Sequence, residues 1–193
     1  MIPERIETDH LIFERLTHDA IDLFDLYDIC SSDPGIEDVT EYLPWDPHQT
    51  PKETHDLLTS AESNWEQGED FRYLLRLRES AEPVVGMTGI DVHWGRRTGT
   101  IRLWLRKQFW ERGLSGERAA ALIGIVFDTL DLELLAVFTL EGNEQSRRAI
   151  EKYIDRYGGQ YEGLFRNFRP NNGDLANAHR YTITQEQYQN AIQ

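Results

Sequence analysis

The stretch Trp110-Glu111-Arg112-Gly113-Leu114-Ser115-Gly116-Glu117-Arg118-Ala119 decides how this chain is read. Just before it, Thr100-Ile101-Arg102-Leu103-Trp104-Leu105 alternates as a strand does, with Ile101, Leu103 and Leu105 on one face. Just after it, Leu122, Ile123, Val126, Phe127 and Leu130 recur at helical spacing, which predicts a helix over 115–130. A short basic loop with two glycines and a serine joins the two. Such a strand-loop-helix junction points free backbone N–H groups at one spot, with the positive end of the helix dipole behind them. Glycine lets an anion come close, because no Cβ stands in its way. The spacing is neither that of a dinucleotide-binding GxGxxG nor that of a GxxxxGKS/T P-loop. The residues alone leave two readings: a phosphate or pyrophosphate cradle, or a plain strand-to-helix turn.

The order of elements around the loop separates them. The loop resembles the cofactor loop of the GNAT acetyltransferase superfamily, Q/R-x-x-G-x-G/A, and most of all the branch of the RimJ/RimL N-terminal acetyltransferases, where W-G-R-G-Y-A-T-E-A is typical. Trp110, Arg112, Gly113 and Glu117 match that form. Glu111, Leu114, Ser115, Gly116 and Arg118 depart from it, mostly by small or conservative exchange. Glu7-Thr8-Asp9-His10-Leu11 and Arg15-Leu16-Thr17 are similar to the branch's opening E-T-D-R-L … R-x-L-T. Tyr42-Leu43-Pro44-Trp45 resembles its early loop, and Glu141-Gly142-Asn143-x-x-Ser146 the segment after its fifth strand. Glu162-Gly163-x-x-Arg166 and Gly173-Asp174 … His179-Arg180-Tyr181 resemble its C-terminal hairpin. No single fragment is specific; their shared order and spacing is. The resemblance implies an α/β (α+β) acyl-CoA N-acyltransferase fold, a mixed twisted sheet with helices on both faces, in one domain over 1–193.

Composition sets the outer bounds. With 193 residues, 39% of them hydrophobic and 11% aromatic, the chain has enough apolar side chain for one sizeable core. No apolar run approaches the ~18 residues of a membrane span, and Met1-Ile2-Pro3-Glu4-Arg5 does not read as a signal peptide. The single cysteine, Cys30, has no disulfide partner within the chain and reads as a small core or boundary residue. A cytoplasmic protein is expected. Net charge is −14, and only Lys52, Lys107 and Lys152 are lysines. An acidic, lysine-poor surface stays hydrated in concentrated salt, where the Debye length falls to about 3 Å and self-repulsion is screened. A halophilic source is the expectation, with an ordinary acidic protein as the alternative. No basic stripe offsets the negative field, so a nucleic-acid partner is not expected.

Along the chain, the pattern predicts a strand over 6–15 with a break, then a helix capped by Thr17 and running to about Ser31, with Ile21, Phe24 and Tyr27 inward. Residues 33–49, with Pro34, Gly35, Pro44 and Pro47, read as a long and therefore functional loop. Thr50-Pro51-Lys52-Glu53 starts a capped helix that ends at Gly68. Strands follow at 71–79 and 84–94, joined at Ala81-Glu82-Pro83; in the second, Ile90, Val92 and Trp94 face one way and Asp91 and His93 the other. Gly95-Arg96-Arg97-Thr98-Gly99 turns into strand 100–106. Strand 134–140 and a helix from Glu144 to about Tyr157, capped by Asn143, complete the central part. Strands near 160–169 and 178–184 flank the turn Pro170-Asn171-Asn172-Gly173. The element count is βααβββαβαββ.

The resemblance also places chemistry. It implies acetyl-CoA as co-substrate, its pyrophosphate on Arg112, Gly113, Leu114, Ser115 and Gly116. Its pantetheine arm would pair with the backbone of Leu103, Trp104 and Leu105, and Asn143 would bond that arm. Ser146 would protonate the leaving thiolate. Asn143 and Ser146 serve equally well as a plain helix start, where asparagine is a good cap. A group that takes a proton from the amine is needed at neutral pH. Many members carry a glutamate early on the strand before the loop, where this chain has Thr100. Asp91, His93 and Glu141 are the remaining candidates. No metal site is suggested, because the histidines are scattered and the cysteine is alone.

The function this supports is transfer of an acetyl group from acetyl-CoA to a primary amine, with a protein N-terminus, ribosomal proteins included, as the implied acceptor. A polyamine, amino acid or antibiotic is the alternative acceptor. A non-catalytic acyl-CoA sensor is the alternative class, kept open by Thr100 in place of the glutamate and by Glu151 where many members of the resembled family carry a tyrosine acid. A homodimer is one assembly the resemblance admits.

Overall fold

A computed structural model describes residues 2–79, 81, 83–171 and 173–193. The turns read at Glu82 and Asn172 lie on residues outside those described. Among the described residues the chain forms eight strands, paired both antiparallel and parallel. The chain divides into two compact units.

One unit comprises Pro3–Gly89 and Leu103–Leu114. It opens with β1 (Arg5–Glu7) and β2 (Leu11–Arg15), an antiparallel pair. The single strand expected over 6–15 is therefore a hairpin. Thr8 closes it: its amide donates to the Leu11 carbonyl (2.9 Å) and its hydroxyl accepts from the Leu11 amide (3.2 Å). Alternation continues through so short a reversal, so periodicity alone does not reveal it. The first helix, α1 (Leu23–Ser32), starts later than expected because Asp22, not Thr17, caps it. The Asp22 carboxylate accepts from Phe24 (2.8 Å) and Asp25 (3.2 Å), while the Thr17 hydroxyl closes a local turn with the Ala20 amide (3.1 Å). The shift turns the helix: Phe24 is 61% exposed, and Leu26 and Cys30 are buried instead. Burial pushes the Cys30 thiol up to about 12, which makes it an inert packing group.

The supposed loop 33–49 contains a short helix, α2 (Ile36–Thr40). The helix α3 (Pro51–Gln67) has Pro51 in its first turn and ends at Gly68 in the left-handed conformation. Its start differs from a full capping box: Thr50 caps no amide, and Glu53 reaches back to the Gln49 amide (2.8 Å). Strand β3 (Asp70–Leu77) pairs with β2 and precedes β4 (Val84–His93). Leu16, Leu26, Cys30, Leu58, Ala61 and Leu74 form the core here, with Trp45 and Trp104 packed against it.

The other unit comprises Ile90–Arg102 and Ser115–Gln193, with Ile2. Trp94, expected inward, begins a tight turn and is 51% exposed; Arg97 in the left-handed region (φ 47°) returns the chain into β5 (Thr98–Leu105). The expected helix 115–130 is α4 (Leu114–Gly124) followed by a wider π-type turn over Ile125–Thr129, closed by the Leu130 amide on the Ile125 carbonyl (2.9 Å). Strand β6 (Leu134–Leu140), α5 (Glu144–Arg156), β7 (Gln160–Asn171) and β8 (Asp174–Thr184) then follow. A last helix, α6 (Gln185–Ala191), was not expected. Its signal was present in Thr184-x-x-Gln187, a capping box satisfied on both sides. Tyr188 fixes it, stacking on Phe127 at 4.9 Å and donating to the Asp128 carboxylate at 2.6 Å.

Gly86 on β4 has φ +155°, and a Cβ there would lie 2.8 Å from the Leu105 Cα and closer still to the Trp104 carbonyl oxygen. Both atoms are backbone and cannot swing aside. Gly86→Ala therefore combines backbone strain with overpacking, a cost of about 3 kcal/mol. Urea unfolding checks it; a variant within 0.5 kcal/mol of the parent, the scatter of neutral surface changes, refutes the assignment.

Candidate active site

The loop read first in the sequence is built from its flanks inward. At the end of β5 the Arg106 amide donates to the Val85 carbonyl (2.9 Å). Its guanidinium grips Asp33 with two nitrogens, Nε at 3.0 Å, and donates to the Val84 carbonyl (2.9 Å). This forked pairing fixes direction as well as charge. A single tight turn, Lys107–Phe109, follows and buries Phe109. The Arg106 and Arg112 guanidinium groups lie over the Phe109 ring, 5.8 and 5.1 Å from its centre. The Trp110 indole N–H donates to the Leu105 carbonyl (2.8 Å). Trp110 is thus the staple that folds the loop back onto β5.

Two residues inside the loop take left-handed backbone, Glu111 at φ 62° and Gly113 at φ 78°. For Gly113 that is the expected use of glycine. For Glu111 it corrects the sequence reading: the resembled pattern has glycine there, and the exchange is not conservative, because a side chain in this region carries strain. Leu114 is buried at the start of α4, Ser115 half-buried and Gly116 exposed. A Cβ at Gly116 would meet nothing within 4 Å, and its φ is not positive. Neither sterics nor dihedral requires glycine at that point. What remains is an open cradle at the N-terminus of an eleven-residue helix, whose first-turn N–H groups lack intrahelical acceptors. An anion such as a diphosphate fits that cradle.

The strand before the loop has a matching feature. Parallel pairing of β5 with β6 is registered at Thr98↔Leu134, Gly99↔Leu135 and Thr100↔Ala136, although β6 runs on to Leu140. On its other side β6 is paired with β8 along its whole length, from Leu134↔Thr184 to Leu140↔Ala178. Leu103, Trp104 and Leu105 are half-buried. The Leu105 carbonyl already accepts from Trp110, and the Trp104 ring rests edge-on against Trp45 at 5.6 Å.

The four candidates for proton transfer sit in different local settings. Asp91, on β4, is paired with the Arg102 guanidinium. His93 ends β4 and is exposed. Glu141, just after β6, accepts from the Asn177 side chain (2.9 Å) and gives its amide to the Asn177 carbonyl (2.9 Å). Asn143 caps α5, its side-chain oxygen accepting from the Ser146 amide (3.0 Å). Asn143 and Ser146 are thus brought together as expected, and the cap uses the amide of Ser146, not its hydroxyl. Sequence reasoning missed a cluster beside them: Tyr181 on β8 donates to Glu151 (3.0 Å), and the Arg147 Nε bonds both Glu151 (3.1 Å) and Tyr181 (3.2 Å). Burial raises the Tyr181 phenol. Among the described residues no three His, Cys, Asp or Glu side chains are grouped to hold a metal, and no helix is long and apolar enough to cross a membrane.

Strand, loop and helix of this kind suit an anionic donor, and comparison with known proteins gives the class. Residues 10–153 match the acetyltransferase (GNAT) domain family. The chain belongs to that family and is an acetyl-CoA-dependent N-acetyltransferase. An uncharacterized N-acetyltransferase from Bacillus licheniformis, p20, is 26% identical over 92% of this chain and 97% of its own length. Two solved structures share the fold. RimL, a ribosomal alpha-N-protein acetyltransferase in complex with coenzyme A, aligns with a TM-score of 0.79 over 94% of this chain and 98% of its own, at 15% identity. A spermidine N-acetyltransferase from Vibrio cholerae in complex with CoA and spermine aligns with 0.74 over 94% and 99%, at 14% identity.

Because Gly116 is free of steric and dihedral demands, Gly116→Val leaves the thermal midpoint unchanged or slightly raised, glycine being the poorer helix former. Gly116→Asp, equally free of steric demand, sets a negative charge in the cradle and weakens coenzyme A binding at least about tenfold, or ~1.4 kcal/mol. Calorimetry with coenzyme A checks this, and unchanged affinity places the anion elsewhere.

Proposed function

We propose that this protein is a RimJ/RimL-like acetyltransferase that acts in the cytoplasm on the N-terminal amine of a protein. The observation that carries the donor half is the open glycine cradle at the start of α4. There the amides of Gly113, Leu114, Ser115 and Gly116, with the Arg112 guanidinium, hold the diphosphate of acetyl-CoA. The backbone of Leu103, Trp104 and Leu105 holds the pantetheine arm, the Leu105 carbonyl keeping one lone pair beside the Trp110 indole bond. The donor supplies an activated thioester, which a neutral amine attacks at the carbonyl carbon; the C–N bond forms and the thiolate leaves. The Ser146 hydroxyl returns a proton to that thiolate. Of the three base candidates, Asp91 and Glu141 are engaged by Arg102 and Asn177, which leaves the exposed imidazole of His93 to take the amine's proton.

A peptide acceptor is favoured by β7 and β8. Tyr161, Leu164, Phe165, Phe168 and Leu175 are all exposed large apolar side chains on this hairpin, and β7 is the edge of the sheet. An extended chain can add to such an edge, with apolar side chains supplying contact area. The net charge of −14 favours the second reading, a polyamine drawn in by the negative field.

Thiol release from acetyl-CoA, measured with peptides of free N-terminus and with spermidine, separates the two. Peptides are expected to have the higher kcat/KM, and turnover of spermidine alone refutes the peptide reading. With the accepted amine, Ser146→Ala lowers kcat while the KM for acetyl-CoA holds, as for a group acting in the transition state; equal turnover leaves Ser146 a helix-start role only. We further infer a salt-loving source from the −14 charge borne with three lysines. The thermal midpoint then rises from dilute to molar potassium chloride as repulsion is screened. A flat or falling midpoint overturns that origin.

A further inference from the structure

Arg118 lies one helical turn inside α4 and is 3% exposed. Its Nε and Nη1 are buried without a hydrogen-bond partner. Its guanidinium lies over an aromatic ring, Tyr153 on α5, whose centre is 5.9 Å from the guanidinium carbon. The Tyr153 hydroxyl is also buried and without a partner, and burial raises its pKa, so it stays a neutral phenol and cancels none of the charge. Burial lowers the Arg118 pKa, with Tyr153 alone opposing, yet a guanidinium starts so high that it remains protonated. Other arginines of this chain, among them Arg15, Arg72, Arg76, Arg102 and Arg106, each have a carboxylate. With 34 acidic residues to 20 basic ones, carboxylates are not scarce. An uncompensated buried cation is destabilising, and such a charge is retained where a ligand's charge completes it.

We propose that Arg118 is a positioning residue for the diphosphate of acetyl-CoA, adding a full positive charge beneath the N-terminal turn of α4. Helical side chains lean back toward the N-terminus, and four residues of helix rise only about 6 Å. The charge therefore reinforces the dipole end above it, and burial shields it from salt. It acts through the field and touches no reacting atom. In a protein of net charge −14, it offsets the repulsion that a polyanionic donor meets. The inference rests on the acetyl-CoA reading of the preceding subsection.

Arg118→Met removes the charge and keeps an apolar stem. Its expected profile is a thermal midpoint equal to or above the parent, a Kd for coenzyme A about tenfold weaker, and an unchanged KM for S-acetylpantetheine, a donor without phosphates. Arg118→Lys, which keeps the charge, binds coenzyme A within about threefold of the parent, on the same reasoning. Arg118→Gln serves the same comparison where methionine prevents folding. If neutral variants bind coenzyme A like the parent, or lose both donors equally, or if lysine is as weak as methionine, Arg118 is a packing residue and the inference falls. In each of these the parent still binds coenzyme A and the donor site stands. A parent that binds none overturns the donor site itself, and this role with it.

Discussion

At Gly86 the backbone of β4 comes so near the Trp104 carbonyl and the Leu105 Cα that no side chain has room. That approach holds the last residues of β5 against β4, and the loop beyond depends on it. Once Leu105 is placed, its carbonyl is where the Trp110 indole must anchor. The Arg106 amide meets Val85, and its guanidinium meets Asp33 and the Val84 carbonyl. The loop then has one course, through two left-handed residues into α4. A glycine on one strand thus determines the conformation of a loop more than twenty residues later in the chain.

Charge is used in two ways. Most ion pairs, such as Lys52–Asp56 and Arg97–Glu133, are exposed, and pairs of that kind contribute little to stability. Asp33–Arg106 differs, with side chains only 7% and 19% exposed and forked geometry; its directional hold locks the loop's entry. Arg118 stands at the other extreme, buried and unneutralised. The ion pairs are thus mostly at the surface, while α4 carries a buried cation with no carboxylate on its Nε or Nη1.

The start of α5 shows how a structural role and a proposed one can share a residue. Asn143 gives its side-chain oxygen to the Ser146 amide, the ordinary work of a cap. That bond sets the first turn on which Ser146 sits. The cap is therefore compatible with the proposed part of Ser146, since it fixes the serine's backbone.

Much of the architecture was legible in the chain itself. Strand patterns marked β3, β4 and β6, apolar spacing marked α3, α4 and α5, and Asn143 and Gly68 marked helix ends. The order of these pieces, with the Gly113 loop between β5 and α4, was sufficient to recognise the family. Short-range competition was not legible. Whether Thr17 or Asp22 caps α1, and so whether Phe24 or Leu26 faces the core, turns on which oxygen meets which amide. A reversal as short as Thr8–Leu11 leaves the alternation intact and hides from it. The left-handed backbone of Glu111 contradicts its residue type and follows from the Trp110 anchor. Arg118 reads in sequence only as a departure from the family's loop form; the packing of α4, with Tyr153 beside it, makes it a buried charge. Local preference and periodicity determine which elements form, because they depend on neighbours within a few residues. Which polar groups find partners, and which are left without one, depends on atoms distant in the chain, and only the tertiary structure decides that.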